Sequence, residues 1–313
     1  MGIIGYNSTC TEFISVLKRN HILTLAASKK LTHMARHKME SGICRICGED
    51  TLLSFEHVPP KVAFNKNTRF VSVDFEEYIK VENALKNPPK GKTKQGGIGY
   101  NSFCIKCNNF LGSKYVPAYK NWAIGGLQLL NKKEEYGLHG YSIKEIEPLK
   151  VIKQIISMFL AINPEWFLKS FPELAAFLNS PEKKELPERY RVFTYLTRAE
   201  RFRYMHYSAI GDFKTGITTV CSEIAFPPYG YVLTFDFQGQ INFLNEITGF
   251  KKFDYNQKIS LNMVTYQLPT YMPFSLDYRS ENQIENDIDN SLKKLEILKN
   301  KYNSEKNNNK TTN

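Results

Sequence analysis

Two pairs of cysteines at C-x-x-C spacing constrain the fold of this 313-residue chain more than any other feature. Cys44 and Cys47 form the first pair (CRIC), and Cys104 and Cys107 form the second (CIKC), with 56 residues between the pairs. Two residues between cysteines let both sulfurs of a tight turn reach one ion, and two such turns complete a tetrahedral zinc site. A redox motif needs only one pair. The spacing therefore predicts a structural zinc that joins distant parts of the chain.

Composition limits the class of protein. Hydrophobic residues make up 42% of the chain and aromatic residues 13%, enough for a sizeable buried core. The sequence contains no run of eighteen apolar residues, so no transmembrane span is predicted. The first ten residues, MGIIGYNSTC, lack the basic and apolar segments of a signal peptide. We expect a globular cytoplasmic protein that does not bind membranes.

The positive charge is concentrated in the first third of the chain. The formal net charge is +11, and residues 1–120 hold 18 Lys and Arg against 9 Asp and Glu. Residues 121–313 are close to neutral, with 24 against 22. A basic region of this kind attracts nucleic acid, although a basic protein without such a partner fits the charge equally well.

A short motif that could take part in catalysis or metal binding, FEHVPP, begins eight residues after Cys47. It places Glu56 and His57 near one cysteine pair, and two asparagines directly follow the other pair in CIKCNN. If one zinc gathers both pairs, these polar groups come close together. Neighbouring side chains on a strand point to opposite faces, so Glu56 and His57 can serve one site only if the backbone bends there.

The order C-x-x-C, EH-x-x-P, C-x-x-C-N over residues 43–120 resembles the HNH endonucleases of the His-Me finger group. The resemblance implies a ββα-metal module, treble-clef-like, in which a four-cysteine zinc braces a hairpin against a helix. It also implies hydrolysis of phosphodiester bonds, mostly in DNA, leaving 5′-phosphate and 3′-hydroxyl ends.

Carried over residue by residue, the resemblance makes His57 the general base. It makes Glu56 and Asn108 ligands of a catalytic Mg²⁺ or Mn²⁺, with Asn109 as the alternative to Asn108, and it makes Asn101 the residue that orients the base. The chain departs from a literal H-N-H at Asn108, whose neutral carbonyl oxygen binds metal more weakly than a charged ligand. These residue types suit the reaction, because an imidazole accepts a proton near neutral pH and Mg²⁺ prefers oxygen ligands.

Lysines around the module are candidates for binding the phosphate backbone. Residues 87–99 (NPPKGKTKQGGIG) are predicted to be a loop, either lying along that backbone or forming a solvated connection. The candidate nucleic-acid-binding residues are Lys61, Lys90, Lys92, Lys94, Lys106 and Lys114.

The fold class predicted for the whole chain is α+β. Residues 1–40 are predicted to form a basic helical segment, 41–125 the zinc-braced module, 140–275 a mixed helix-and-sheet domain, and 276–313 an amphipathic helix with a disordered tail from residue 303 onward. Helices are predicted over 145–162 and PELAAFLN, and a break in helix near Gly125 and Gly126. Strands are predicted at RVFTYLT, RYMHYSA, GITTVCSEIAF, YGYVLTFDF, INFLNE and KISLNMVTYQ.

Two functions remain open from the sequence. The first is a metal-dependent HNH endonuclease acting on double-stranded DNA, and by analogy its fusion to an unfamiliar domain suggests genome defence or a mobile element. The second is a non-catalytic zinc module that binds nucleic acid or a protein. The amphipathic C-terminal helix adds a candidate surface for a protein partner or self-association.

Overall fold

The computed structural model describes residues 3–6, 39–82, 84, 87–132, 136–211 and 216–308. This part of the chain is a mixed α+β fold with two β-sheets and seven α-helices. Most of the predicted basic helical segment, residues 1–40, lies outside the described residues.

The strands alternate with helices in the first half of the chain and dominate the second half. In chain order they are β1 (Ile3–Tyr6), β2 (Glu40–Ile43), β3 (Asp50–His57), β4 (Arg69–Asp74), β5 (Lys92–Gln95), β6 (Gly99–Cys104), β7 (Gly137–Ile146), β8 (Tyr190–Leu196), β9 (Arg201–Gly211), β10 (Thr218–Phe226), β11 (Tyr229–Phe235), β12 (Asn245–Glu246) and β13 (Ile259–Gln267).

The helices lie in two groups and at the C-terminal end. They are α1 (Phe75–Lys80), α2 (Ile105–Lys114), α3 (Val116–Lys132), α4 (Pro148–Ile162), α5 (Trp166–Ser170), α6 (Pro172–Asn179) and α7 (Glu281–Asn308). Two 3-10 turns, Asn65–Asn67 and Thr248–Lys252, complete the described elements.

The two sheets differ in size and in what they carry. The larger has ten strands in the order β5-β4-β1-β9-β10-β11-β8-β13-β7, with β12 paired to β8. The smaller has three strands in the order β2-β3-β6, and both of its pairings are antiparallel. The smaller sheet contains Glu56 and His57, called the EH motif below. Three of the four cysteines, Cys44, Cys47 and Cys104, lie at the end of β6 or in the turn after β2. The smaller sheet therefore positions the candidate site.

Helix α4 is the centre of the hydrophobic core. Fourteen of its fifteen residues are buried, and it packs against β6 of the small sheet and β9, β10 and β11 of the large one. One core cluster includes Leu53 and Phe103 of the small sheet, Ile152 of α4 and Tyr231 of the large sheet. The predicted division of the chain near residue 125 stays a prediction, but the core is continuous across it and β4 and β5 belong to the large sheet.

The strongest local patterns are confirmed. The predicted helix over 145–162 is α4, which begins at Pro148 because proline suits the first turn of a helix. PELAAFLN is α6, and five of the six predicted strands form over most of their lengths as β8 to β11 and β13. In INFLNE only Asn245–Glu246 forms a strand.

The predicted helix break at Gly125 and Gly126 is wrong, since both residues lie inside α3. The structure gives a packing reason for the two glycines. A Cβ at residue 125 would lie 2.7 Å from the side chain of Ile143, and one at residue 126 would lie 2.5 Å from the ring of Tyr229. These glycines allow close approach of neighbouring elements rather than ending the helix.

The predicted loop over 87–99 is also partly wrong. Lys92–Gln95 forms β5, which pairs with β4 at one edge of the large sheet. All four residues of β5 are exposed, so the sequence has no alternation of apolar and polar residues that would predict a strand. The strand forms because it pairs with β4.

A buried ion pair holds the segment that leads into α7. Arg203 and Glu223, each at most 1% exposed, lie 3.0 Å apart. Arg203 also donates to the carbonyl oxygen of Met272, and Glu223 accepts from the backbone N–H of Leu276 at 2.9 Å. The chain before α7 is therefore fixed to the large sheet.

Helix α7 confirms the predicted C-terminal amphipathic helix. It continues through 303–308, which were predicted to be disordered, and residues 309–313 lie outside the described part. Among the described helices, none combines the length and apolar character needed to cross a membrane.

Lys153 is an ionisable group enclosed in the core of α4. It is 0% exposed, donates to the carbonyl oxygens of Phe177 and Ser180, and lies 3.7 Å from the centre of the Phe177 ring. Burial, together with the charge of Lys183, lowers the pKa of its ammonium from 10.5 to about 7.

We therefore expect stability to rise with pH between about 7 and 10.5, where the unfolded chain holds a proton that the folded chain has lost. A pKa difference of one is worth about 1.4 kcal/mol, so relative to Lys153→Met the wild type should gain at least about 2 kcal/mol of unfolding free energy across that window. Urea denaturation of both proteins at several pH values measures the difference. Parallel pH profiles for the two proteins would contradict a lowered pKa at Lys153.

Candidate functional site

The first cysteine pair lies in a tight turn after β2. Cys44 donates its backbone N–H to the carbonyl oxygen of Glu49, and Gly48 donates to the carbonyl oxygen of Cys44, both at 2.9 Å. Gly48 has a φ of +77°, a left-handed conformation that favours glycine. The backbone N–H of Arg45 donates to the carbonyl oxygen of Ser102 at 3.0 Å, so the turn is tied to β6.

The second pair lies where β6 becomes α2. Cys104 is the N-cap of α2, and its sulfur accepts the backbone N–H of Cys107 at 3.4 Å. The backbone N–H of Cys104 donates to the sulfur of Cys44 at 3.2 Å. Both cysteine pairs are therefore held by backbone contacts that leave their sulfurs facing one point.

The four sulfurs of Cys44, Cys47, Cys104 and Cys107 all lie within 4.8 Å of one another. Those of Cys47 and Cys104 are 4.0 Å apart. Sulfurs around a tetrahedral zinc with bonds of 2.3 Å lie about 3.8 Å apart, so the cluster needs little contraction. The four cysteines form a site that could bind a metal such as zinc.

Crowding affects the ionisation of these thiols. Burial opposes ionisation of Cys44, but the backbone N–H groups around its sulfur lower its pKa overall. Burial raises the pKa of Cys47, and burial together with the neighbouring thiol groups raises that of Cys107. Four thiolates repel one another unless a cation lies among them, which is the electrostatic condition that a metal satisfies.

The EH motif lies at the end of β3. The rings of Phe55 and His57 meet edge to face with centroids 4.8 Å apart, so these two side chains share a face of the strand. Strand alternation directs Ser54 and Glu56 to the other face. A bulge, at which β6 has one extra residue, lies opposite Ser54 and Phe55, but β3 remains a strand through His57.

His57 is nearly enclosed, with 6% of its surface exposed. Its Nε2 lies 3.1 Å from the carbonyl oxygen of Gly96. Because a carbonyl only accepts, Nε2 donates this hydrogen bond, and the lone pair of the neutral ring is on Nδ1. Gly97, with a φ of +100°, lies against the ring, and a Cβ there would be 2.7 Å from Cδ2 of His57. The ring is therefore fixed by its surroundings.

Glu56 is half-buried, and burial raises the pKa of its carboxyl group to about 8. The charge of exposed Lys61 opposes this shift. Among the described residues, none donates a hydrogen bond to this carboxylate. A nearby cation would stabilise its charged form.

Asn108 lies in the first half of α2 and contacts β3. Its Nδ2 donates to Oγ of Ser54 at 2.9 Å, and that hydroxyl donates to the carbonyl oxygen of Phe103 at 2.9 Å. Since Ser54 and Glu56 share a face, the structure brings Asn108 to the face that carries Glu56. His57 lies on the opposite face of the strand.

The other two asparagines occupy different surroundings. Asn109, on the same helix, is exposed. Asn101 lies on β6 directly opposite Phe55. The roles assigned to both residues stay predictions.

Sequence reasoning missed Asn65, which clamps the two chain segments beyond the small sheet. It is 0% exposed, and its Nδ2 donates to the carbonyl oxygens of Pro59 and Ile98, each at 2.7 Å. Its Oδ1 accepts the backbone N–H of Ile98 at 2.8 Å. The segment after His57 is thereby fastened to the segment before β6. No motif or spacing in the sequence indicated this role.

The six candidate lysines are all exposed, but they do not lie on one element. Lys92 and Lys94 lie on edge strand β5, where their spacing places both on one face. Lys106 and Lys114 lie on α2, Lys61 lies just after the EH motif, and Lys90 precedes β5.

A cleft of about 480 Å³ lies beside the first cysteine pair and was not predicted. The side chain of Arg45 donates to the carbonyl oxygen of Ala161, and the carboxylate of Glu165 accepts the backbone N–H of Ile43 at 3.2 Å. The cleft is lined by Ile43, Arg45, Pro164, Glu165, Trp166 and Lys169. These contacts tie the cysteine turn to the segment after α4.

Comparison with protein-family models, with curated proteins and with solved structures finds no match to this chain.

We expect the purified wild type to hold one tightly bound zinc per chain and Cys104→Ser to lose most of it, because three thiolates bind zinc more weakly than four. Elemental analysis after dialysis against a chelator measures the metal content. Cys221→Ser is the matched control, since Cys221 is buried in β10 away from the four-cysteine cluster. Equal zinc in both variants, or none in the wild type, would refute the assignment.

Proposed function

We propose that this protein is a metal-dependent HNH endonuclease that hydrolyses phosphodiester bonds in DNA. In this proposal the four cysteines bind a structural zinc, and Glu56 and Asn108 bind a catalytic Mg²⁺ or Mn²⁺. His57 is the general base. The observation that carries the proposal is the order β3, β6, α2, closed by the cysteine cluster with the EH motif on β3 and Asn108 on α2.

The pair of proposed metal ligands is supported by its chemistry. A carboxylate and a carboxamide oxygen are ligands that Mg²⁺ accepts, with water and substrate phosphate completing its coordination. The Asn108 amide nitrogen is engaged by Ser54, which leaves its carbonyl oxygen for another partner. The half-buried carboxyl of Glu56, with its raised pKa, is a group whose ionised form a cation would stabilise.

The role proposed for His57 is supported by its hydrogen bond to Gly96. With Nε2 engaged, Nδ1 is the atom that can take a proton from water as the water oxygen bonds to phosphorus. The bond between phosphorus and O3′ breaks in the same displacement, and solvent protonates the leaving oxygen. A divalent cation would supply positive charge to the phosphate oxygens during this step.

Exposed lysines support a nucleic-acid substrate. Lys106 and Lys114 lie on the helix that carries Asn108, and Lys61 lies close enough to Glu56 to affect its pKa. Contacts to phosphate position a duplex without reading its sequence, which suits binding by scattered lysines on different elements.

The alternative function is a non-catalytic metal-braced module that binds nucleic acid or a protein partner. One observation favours it: His57 is only 6% exposed and lies on the face of β3 opposite the face that Asn108 contacts. A structural histidine would have these properties. Catalysis by His57 requires substrate to reach its Nδ1 at the end of the strand.

Wild-type protein should nick supercoiled plasmid in the presence of Mg²⁺ or Mn²⁺. His57→Ala should reduce the rate by about 100-fold or more, because the general base is lost. Glu56→Gln should also reduce the rate, and only this variant should weaken Mn²⁺ binding, which electron paramagnetic resonance measures. His139→Ala, which changes a buried histidine on β7, is the control and should cleave like the wild type.

Zinc content of each variant shows whether the fold is retained. A His57→Ala protein that holds zinc and cleaves at the wild-type rate would refute the role of His57. Wild-type protein that binds DNA but cleaves neither plasmid nor duplex RNA with either cation would support the non-catalytic alternative.

Lys92 and Lys94 should contribute to DNA binding through phosphate contacts. The double variant Lys92→Glu, Lys94→Glu should make the negative slope of log K against log salt shallower by about 2, as expected when two phosphate contacts are lost. The double variant Lys144→Glu, Lys252→Glu changes net charge equally at exposed positions elsewhere and should keep the slope. If both double variants change the slope equally in a salt titration, DNA binding depends on net charge and not on contacts from Lys92 and Lys94.

A further inference from the structure

Helix α7 leaves the body of the protein after a single anchored turn. Ile284 is 6% exposed, Tyr271 donates to Glu281, and Arg279 pairs with Asp287 at 2.8 Å. Every residue from 285 to 300 is exposed. A helix of 28 residues is about 42 Å long, so most of α7 extends away from the two sheets.

The extended part of α7 carries an apolar stripe. Ile288, Leu292, Leu295 and Leu298 follow Ile284 at steps of three and four residues, and each is between 51% and 61% exposed. At 3.6 residues per turn these side chains lie on one face of the helix. Ile297 is 67% exposed but lies on the opposite face. An isolated helix gains little stability in water without a partner for such a stripe.

Charge is divided along the same helix. Residues 281–290 contain Glu281, Glu285, Asp287 and Asp289 and no basic residue. Residues 291–300 contain Lys293, Lys294 and Lys299 against one acid, Glu296. The helix is therefore acidic in its first part and basic in its second.

From this stripe and this division of charge we infer that α7 pairs with α7 of a second copy of the chain in an antiparallel two-helix interface. An axis midway between Leu292 and Leu295 sets Leu292 of one copy against Leu295 of the other and places Ile288 next to Leu298, one residue from the position directly opposite. Residues 281–290 of each helix then lie beside residues 297–306 of its partner, which include Lys299, Lys301 and Lys306. The two helix dipoles are also antiparallel, which is favourable. A parallel pair would place acid against acid and lysine against lysine.

The full-length wild type should be a dimer by sedimentation equilibrium. Leu292→Asp with Leu295→Asp should raise the dissociation constant at least about tenfold, because charge is placed in the buried stripe. The matched control is Ile297→Asp on the opposite face of the same helix, which should leave the dissociation constant unchanged. Circular dichroism shows that helix content is retained.

Orientation is tested by Glu285→Lys with Asp289→Lys. An antiparallel pair places these new lysines beside the basic part of the partner, so dimerisation should weaken and should recover in high salt. In a parallel pair one like-charge contact replaces another, and the dissociation constant would not change. A monomeric wild type, or equal weakening by Ile297→Asp, would overturn the interface. An unchanged constant in the lysine variant would overturn the antiparallel arrangement.

Discussion

The convergence of four thiols is the constraint on which the small sheet depends. Cys44 and Cys47 follow β2, whereas Cys104 and Cys107 join β6 to α2, so their common site closes a loop across much of the N-terminal half. Backbone bonds from Arg45 to Ser102 and from Cys104 to the sulfur of Cys44 hold the same junction. The relative positions of the EH motif and Asn108 follow from this closure.

The two faces of β3 in the small sheet have different surroundings. On one face of β3, Phe55 and Gly97 enclose His57, whose Nε2 is satisfied by a backbone carbonyl. On the other face, Glu56 has no hydrogen-bond donor among the described residues, whereas Asn108 is oriented by Ser54. The two faces therefore differ: the imidazole on one is oriented by a backbone carbonyl, and the carboxylate on the other has oxygen atoms that a cation could bind.

Local patterns predicted the cysteine site, α4, α6 and most strands of the large sheet, because each depends on spacing within a short segment. Long-range effects escaped prediction. Gly125 and Gly126 resemble helix breakers until Ile143 and Tyr229 are seen against them. Strand β5 has no apolar face and exists through its pairing with β4. The clamp formed by Asn65 depends on residues 98 and 59 meeting, which no spacing rule indicated.

The position of α4 between the two sheets determines which parts of the chain the small sheet needs in order to fold. The inner surface of the small sheet is covered by a helix that belongs, in chain order, to the second half of the protein. A fragment ending before Pro148 would leave Leu53 and Phe103 facing water and would lose the anchor of Arg45 at Ala161. The EH motif and the four cysteines therefore depend on the second half of the chain for their packing, and the segment that carries them would not keep this structure by itself.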